Sequence, residues 1–144
     1  MARILAFDYG TKRVGMAATD PGQLIASGLD TLHSKDVIPF LQHYLKEEQV
    51  EAFVVGEPHQ ADGSPAEAEQ HILPFINRLK KVFPEIPVYR EDESFTSRRA
   101  VEAMVEGGMK RKKRREKERV DQISAVLILQ TFLEKKRFKT GMNF

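Results

Sequence analysis

The chain of 144 residues and 16.4 kDa has the length of one ordinary domain, and at 41% hydrophobic and 31% charged it can bury a core. It contains no cysteine, which excludes a disulfide framework, a thiolate metal site and a cysteine nucleophile. The net charge of +2 hides an asymmetry: residues 110–119 hold eight basic and two acidic side chains, so the rest carries 15 basic and 19 acidic ones and is mildly negative.

Residues 4–7 form a short apolar strand that ends at Asp8, and Tyr9-Gly10-Thr11 is turn-prone. Residues 14–19 return as a second strand, Asp20-Pro21-Gly22 marks a turn, and residues 24–32 offer a third strand. Connections this short allow only an antiparallel meander. Ser34 is placed to cap a helix whose apolar positions (Val37, Ile38, Phe40, Leu41, Tyr44, Leu45) keep helical spacing to about Glu48.

Residues 52–55 are a buried strand, residues 56–64 a loop, and Pro65 suits the first position of a helix that continues to about Val82. Pro74 inside that stretch should kink it. Residues 87–91 give a fifth strand, and residues 96–106 fit a helix stopped by Gly107-Gly108. The basic run should be a loop, because its cations repel one another and oppose the dipole of the helix that follows. That helix is expected to begin near Glu118 and reach about Lys136, with a tail after it. The expected architecture is a mixed five-stranded α/β sheet, an antiparallel three-strand meander plus two parallel strands, with helices on both faces. One domain over residues 1–138 and a C-terminal tail at 139–144 complete it. No apolar run approaches the roughly 18–20 residues that cross a bilayer, so a cytoplasmic protein without membrane contact is expected.

Asp8 ends the first strand, Glu93 lies just past the fifth, and Asp121 opens the last helix, where small Ser124 and Ala125 would let that helix approach the sheet. The carboxyl ends of strands face the ligand crevice in open α/β sheets. Three carboxylates converging there would repel one another unless a hard divalent cation joined them, as in sites that hydrolyse phosphodiesters. Lys12 and Arg13 in the first turn, Arg98 after Glu93, and Lys110, Arg111, Lys112, Lys113, Arg114 and Arg115 in the basic run could hold a phosphate backbone. His59 lies in the loop after the fourth strand, while His33, His43 and His71 have no partner at metal-ligand spacing.

The segment Ala6-Phe7-Asp8-Tyr9-Gly10-Thr11-Lys12-Arg13-Val14-Gly15-Met16-Ala17 resembles the opening motif of the YqgF family. Members of that family are named as pre-16S ribosomal RNA nucleases and formerly as Holliday junction resolvases. Val54-Val55-Gly56-Glu57-Pro58 with Asp62-Gly63, Asp92-Glu93-Ser94-Phe95-Thr96-Ser97, and the segment from Val120 to Gln130 resemble three further motifs of the family, in its order.

The resemblance implies an RNase H-like fold and an Mg²⁺- or Mn²⁺-dependent nuclease with Asp8, Glu93 and Asp121 as catalytic and metal-binding residues. It also implies trimming of the 5′ end of the small-subunit ribosomal RNA precursor, on free RNA or on a pre-ribosomal particle. A resolvase of branched DNA and a non-catalytic nucleic-acid-binding factor are the competing readings, and the oligomeric state is left open. Glu57 and His59 depart from the family pattern, where an apolar pair is usual.

Overall fold

Strand β1 (Arg3–Tyr9) pairs antiparallel with β2 (Arg13–Thr19), which pairs antiparallel with β3 (Ala26–His33). On its other edge β1 pairs in parallel with β4 (Val50–Pro58), and β4 in parallel with β5 (Val88–Glu93). The sheet order is β3-β2-β1-β4-β5, the mixed sheet expected from the lengths of the connections. The computed structural model describes residues 2–60, 62–93 and 113–142, so the helix expected at 96–106 lies outside the described residues.

Side chains alternate across each strand, and the alternation sorts the core into two layers. Leu5, Phe7, Val14, Met16, Phe53 and Val55 face α1 (Val37–Glu47) and α2 (Glu69–Val82). Phe7 is wholly buried and meets Phe53 and Phe75 edge to face, at ring separations of 5.5 and 5.6 Å. Ile4, Ala6, Ala17, Ala52 and Val54 face the long helix α3 (Lys113–Met142), against its Ala125, Ile128, Leu129 and Leu133. The α3 face is built of smaller residues, so that helix lies close to the sheet. Gly15 sets the approach: a Cβ there would collide with the Asp121 backbone carbonyl.

Several boundaries differ from those the sequence predicts. β3 starts at Ala26 because the Asp20 carboxylate accepts the amide protons of Leu24 and Ile25 (2.8 and 2.7 Å) and holds both residues in the turn, exposed. Those bonds, the one to Ile25 first, keep the Asp20 carboxyl below its ordinary range. Ser34 does not cap α1. Its hydroxyl donates to the Thr11 carbonyl at 2.8 Å, while His33 Nδ1 accepts from the Lys35 amide at the start of a short 3-10 turn over Ser34–Asp36.

β4 continues to Pro58 and β5 to Glu93, so Glu57 and Glu93 are strand residues. α2 begins at Glu69 rather than Pro65, which instead bridges to His59, and Pro74 sits inside the helix. α3 begins at Lys113 and runs to Met142, so it takes in the second half of the basic run and most of the expected tail. Lys, Arg and Glu are good helix formers, and Glu116 and Glu118 interrupt the positive charge that argued for a loop.

Candidate functional site

Asp8 belongs to the same alternation as Ile4 and Ala6, so its carboxylate stands on the α3 face at the carboxyl end of β1. Glu93 follows Tyr89, which meets Phe132 of α3, and Glu91, which accepts from Lys135 of α3 at 2.6 Å. Parity therefore puts Glu93 on that face too, at the end of β5. Asp121 descends from α3 over Gly15, and Gly15 is the register partner of Asp8 in the β1–β2 ladder. Ser124 and Ala125 are buried one turn along, as their size predicted.

The three carboxylates line one cleft of about 390 Å³, together with the turn from Gly10 to Arg13, Pro58 and His59. Asp8 and Asp121 are only 7% and 4% exposed, and Glu93 Oε1 is buried. Gly56 leaves room for Glu93: a Cβ there would stand 3.1 Å from Glu93 Oε2 and 2.7 Å from the Ile128 methyl. Buried carboxylates are costly without a compensating cation. Part of that compensation is Arg13, whose Nε donates to Asp121 Oδ2 at 2.8 Å. The sequence assigned Arg13 to substrate phosphate, with no hint that it would meet a carboxylate from the far end of the chain.

The first turn is tied into the hairpin. The Gly10 amide donates to the Arg13 carbonyl at 2.9 Å, and Lys12 is the exposed cation at the rim of the cleft. Arg98, Lys110, Arg111 and Lys112 lie outside the described residues, and of Lys113, Arg114 and Arg115 only the helical backbone is described.

A second cluster borders the cleft at the same end of the sheet, with Glu57 and Asp92 on the opposite face and His59 reaching the cleft wall. Glu57 is the register partner of Asp92, and His59 places Nε2 at 3.1 Å from Glu57 and Nδ1 at 3.6 Å from Asp92. Among the described residues this is the group of three whose ligand atoms all lie within 4.8 Å of one another; Asp8, Glu93 and Asp121 share their cleft without forming so tight a group. The strand-end spacing of Glu57 and His59, two residues apart, was the available signal for it. Beside it Arg90 grips Glu69 with both terminal nitrogens (2.8 and 2.7 Å) and donates to the Val55 and Gly56 carbonyls.

The donors of the cleft suit a hard divalent cation. The cleft's three acidic side chains offer carboxylate oxygens, and Asp8 and Asp121 are nearly buried. No described helix is long and apolar enough to cross a membrane.

A family model, RuvX, described as Holliday junction resolvase, matches residues 2–135. A protein of Christiangramia forsetii named "Putative pre-16S rRNA nuclease" is 54% identical over 92% of this chain and 98% of its own length. A protein of the same name from Phocaeicola vulgatus is 47% identical over 96% of this chain and 99% of its own. Among solved structures, Thermus thermophilus RuvC in complex with a Holliday junction substrate superposes with a TM-score of 0.55 at 16% identity, over 95% of this chain and 96% of that one. That likeness establishes the fold, which is RNase H-like as the resemblance implied.

Proposed function

The chain belongs to the RuvX family, and on that premise we propose that it is a metal-dependent nuclease that matures the 5′ end of the small-subunit ribosomal RNA precursor in the cytoplasm. The observation that carries the reading is the meeting of Asp8, Glu93 and Asp121 in one cleft on the α3 face, from three separate elements. In this reading those carboxylates hold Mg²⁺ or Mn²⁺, which when bound supplies a water of lowered pKa and neutralises phosphate charge.

The chain's own residues do the positioning. Gly15 and Gly56 let α3 lie close to the sheet, and Gly56 leaves room for the Glu93 carboxylate, so that Asp121 and Glu93 share the cleft with Asp8. Arg13 orients the Asp121 carboxylate from one side, and Lys12 receives the substrate backbone at the rim. Arg98 and the cations from Lys110 to Arg115 are, in this reading, further residues that bind phosphate.

The test is cleavage of a 5′-extended small-subunit precursor, free or in a pre-ribosomal particle, with Mg²⁺, Mn²⁺ or EDTA. A four-way DNA junction, the substrate in the family's description, runs as competitor. Asp8→Asn keeps the size of the side chain and should cut the rate by roughly 10²–10³-fold, the loss that follows removal of one charge-stabilising group, with an unchanged circular dichroism spectrum. Undiminished cleavage by that variant would refute the site. Junction cutting without RNA cutting would replace the substrate.

A further inference from the structure

We propose that Glu57, His59 and Asp92 form a second cation site, one that takes a divalent transition-metal ion and borders the carboxylate cleft, whose wall His59 shares. Strand alternation separates the carboxylates of the two sites. Val55 and Glu57 project to the α2 side of the sheet, as do Arg90, which reaches Glu69 of α2, and Asp92. His59, just past the end of β4, meets Glu57 and Asp92 and also lines the cleft. Asp8 and Glu93 project to the α3 side. Asp92 and Glu93 are neighbours in sequence and serve opposite faces.

The cluster has the composition and dimensions of a metal site. It offers one imidazole and two carboxylates, with ligand atoms within 4.8 Å of one another. Two metal–ligand bonds of roughly 2.0–2.2 Å span at most about 4.4 Å, so an ion held by His59 Nε2 and Glu57 requires Asp92, which now faces Nδ1, to swing round to it, a movement open to a side chain 75% exposed. Arg90 lies 3.6 Å from Glu57, but its guanidinium is already engaged by Glu69 and two backbone carbonyls. Glu57 and Glu69 share that one guanidinium, and Asp92 adds a third carboxylate beside His59.

An imidazole nitrogen beside carboxylates selects the Mn²⁺, Co²⁺, Ni²⁺ and Zn²⁺ series over Mg²⁺ and Ca²⁺, which prefer oxygen alone. An ion here would tie the end of β4 to the end of β5, and so hold the strand that delivers Glu93 to the other face.

Co²⁺ titration followed by visible absorption tests this, in millimolar Mg²⁺ so that the carboxylates of Asp8, Glu93 and Asp121 are occupied by the hard ion. The wild-type protein should bind one equivalent of Co²⁺ with a band shifted by imidazole coordination. Asp8→Asn should keep that band. His59→Gln and Asp92→Asn should lose it or bind more than about tenfold more weakly, the loss that even outer-shell changes produce at metal sites. Thermal unfolding without metal would confirm that both variants fold. A Co²⁺ stoichiometry and spectrum that are the same in wild type and His59→Gln would overturn the proposal and leave His59 as an ion-pairing side chain. That result would not touch the nuclease reading, which rests on Asp8, Glu93 and Asp121.

Discussion

Arg13 and Asp121 stand 108 positions apart in the chain and meet at 2.8 Å, with the aspartate almost wholly buried and the guanidinium about one-third exposed. A buried carboxylate needs positive charge, and here a side chain supplies it at the place where the proposed cation would bind. The two sources of charge act on one group, so removing the first should strengthen the second. Arg13→Gln is expected to lose about 1–3 kcal/mol of stability in EDTA, the cost of a charged hydrogen bond left incomplete. Magnesium should stabilise that variant more than it stabilises the wild type. Urea unfolding of both proteins, with EDTA and with Mg²⁺, gives the comparison. An equal magnesium effect in the two would mean that Asp121 is not a ligand of the ion.

At the scale of elements, the start of α2 is fastened to the ends of β4 and β5 by one residue. Arg90 chelates Glu69, the first residue of α2, where the helix dipole also favours a carboxylate. The Arg90 hydrogen bonds hold the Glu69 carboxyl below its ordinary range. A carboxyl depressed by folding stabilises the protein at pH values above its unfolded pKa, and that contribution fades as pH falls through the folded value. Glu69→Gln should therefore cost about 1 kcal/mol near neutral pH, and its stability should fall less steeply on acidification. Denaturant midpoints measured from neutral to acid pH decide it, and parallel curves for the two proteins would refute the role. This fastening was not visible in the sequence, because it depends on which face of β5 meets the incoming helix. The strands themselves were legible from their apolar runs, and so was Asp8, the polar residue that closes the most hydrophobic of them. Glu93 and Asp121 were legible as members of motifs and as strand- or helix-end carboxylates. Their common face was not, since it needed the two-residue extension of β5 and the close approach of Gly15 to α3. The start of α3 was misplaced because like-charge repulsion was weighed above the helix propensity of Lys, Arg and Glu.

At the scale of the whole molecule, charge is divided between two regions. Residues 113–119 of the dense positive block lie in α3, and within a turn of them the same helix carries Asp121 into a cleft of carboxylates. A cleft lined by Asp8, Glu93 and Asp121 repels a polyanion, so affinity for a phosphate backbone has to come from elsewhere on the chain. The basic block is the largest available source, and its effect should appear as counterion release. Replacing Lys110, Arg111, Lys112, Lys113, Arg114 and Arg115 with glutamine should weaken binding across all sequences of a single-stranded RNA. Each phosphate that the chain no longer neutralises should lower the slope of log affinity against log salt by about 0.7. The measurement is fluorescence anisotropy of a labelled RNA over a range of salt, made in the Asp8→Asn background so that the strand stays intact. An unchanged slope would show that the block only solubilises the chain, and that the polyanion is held by Lys12 and the cleft rim alone.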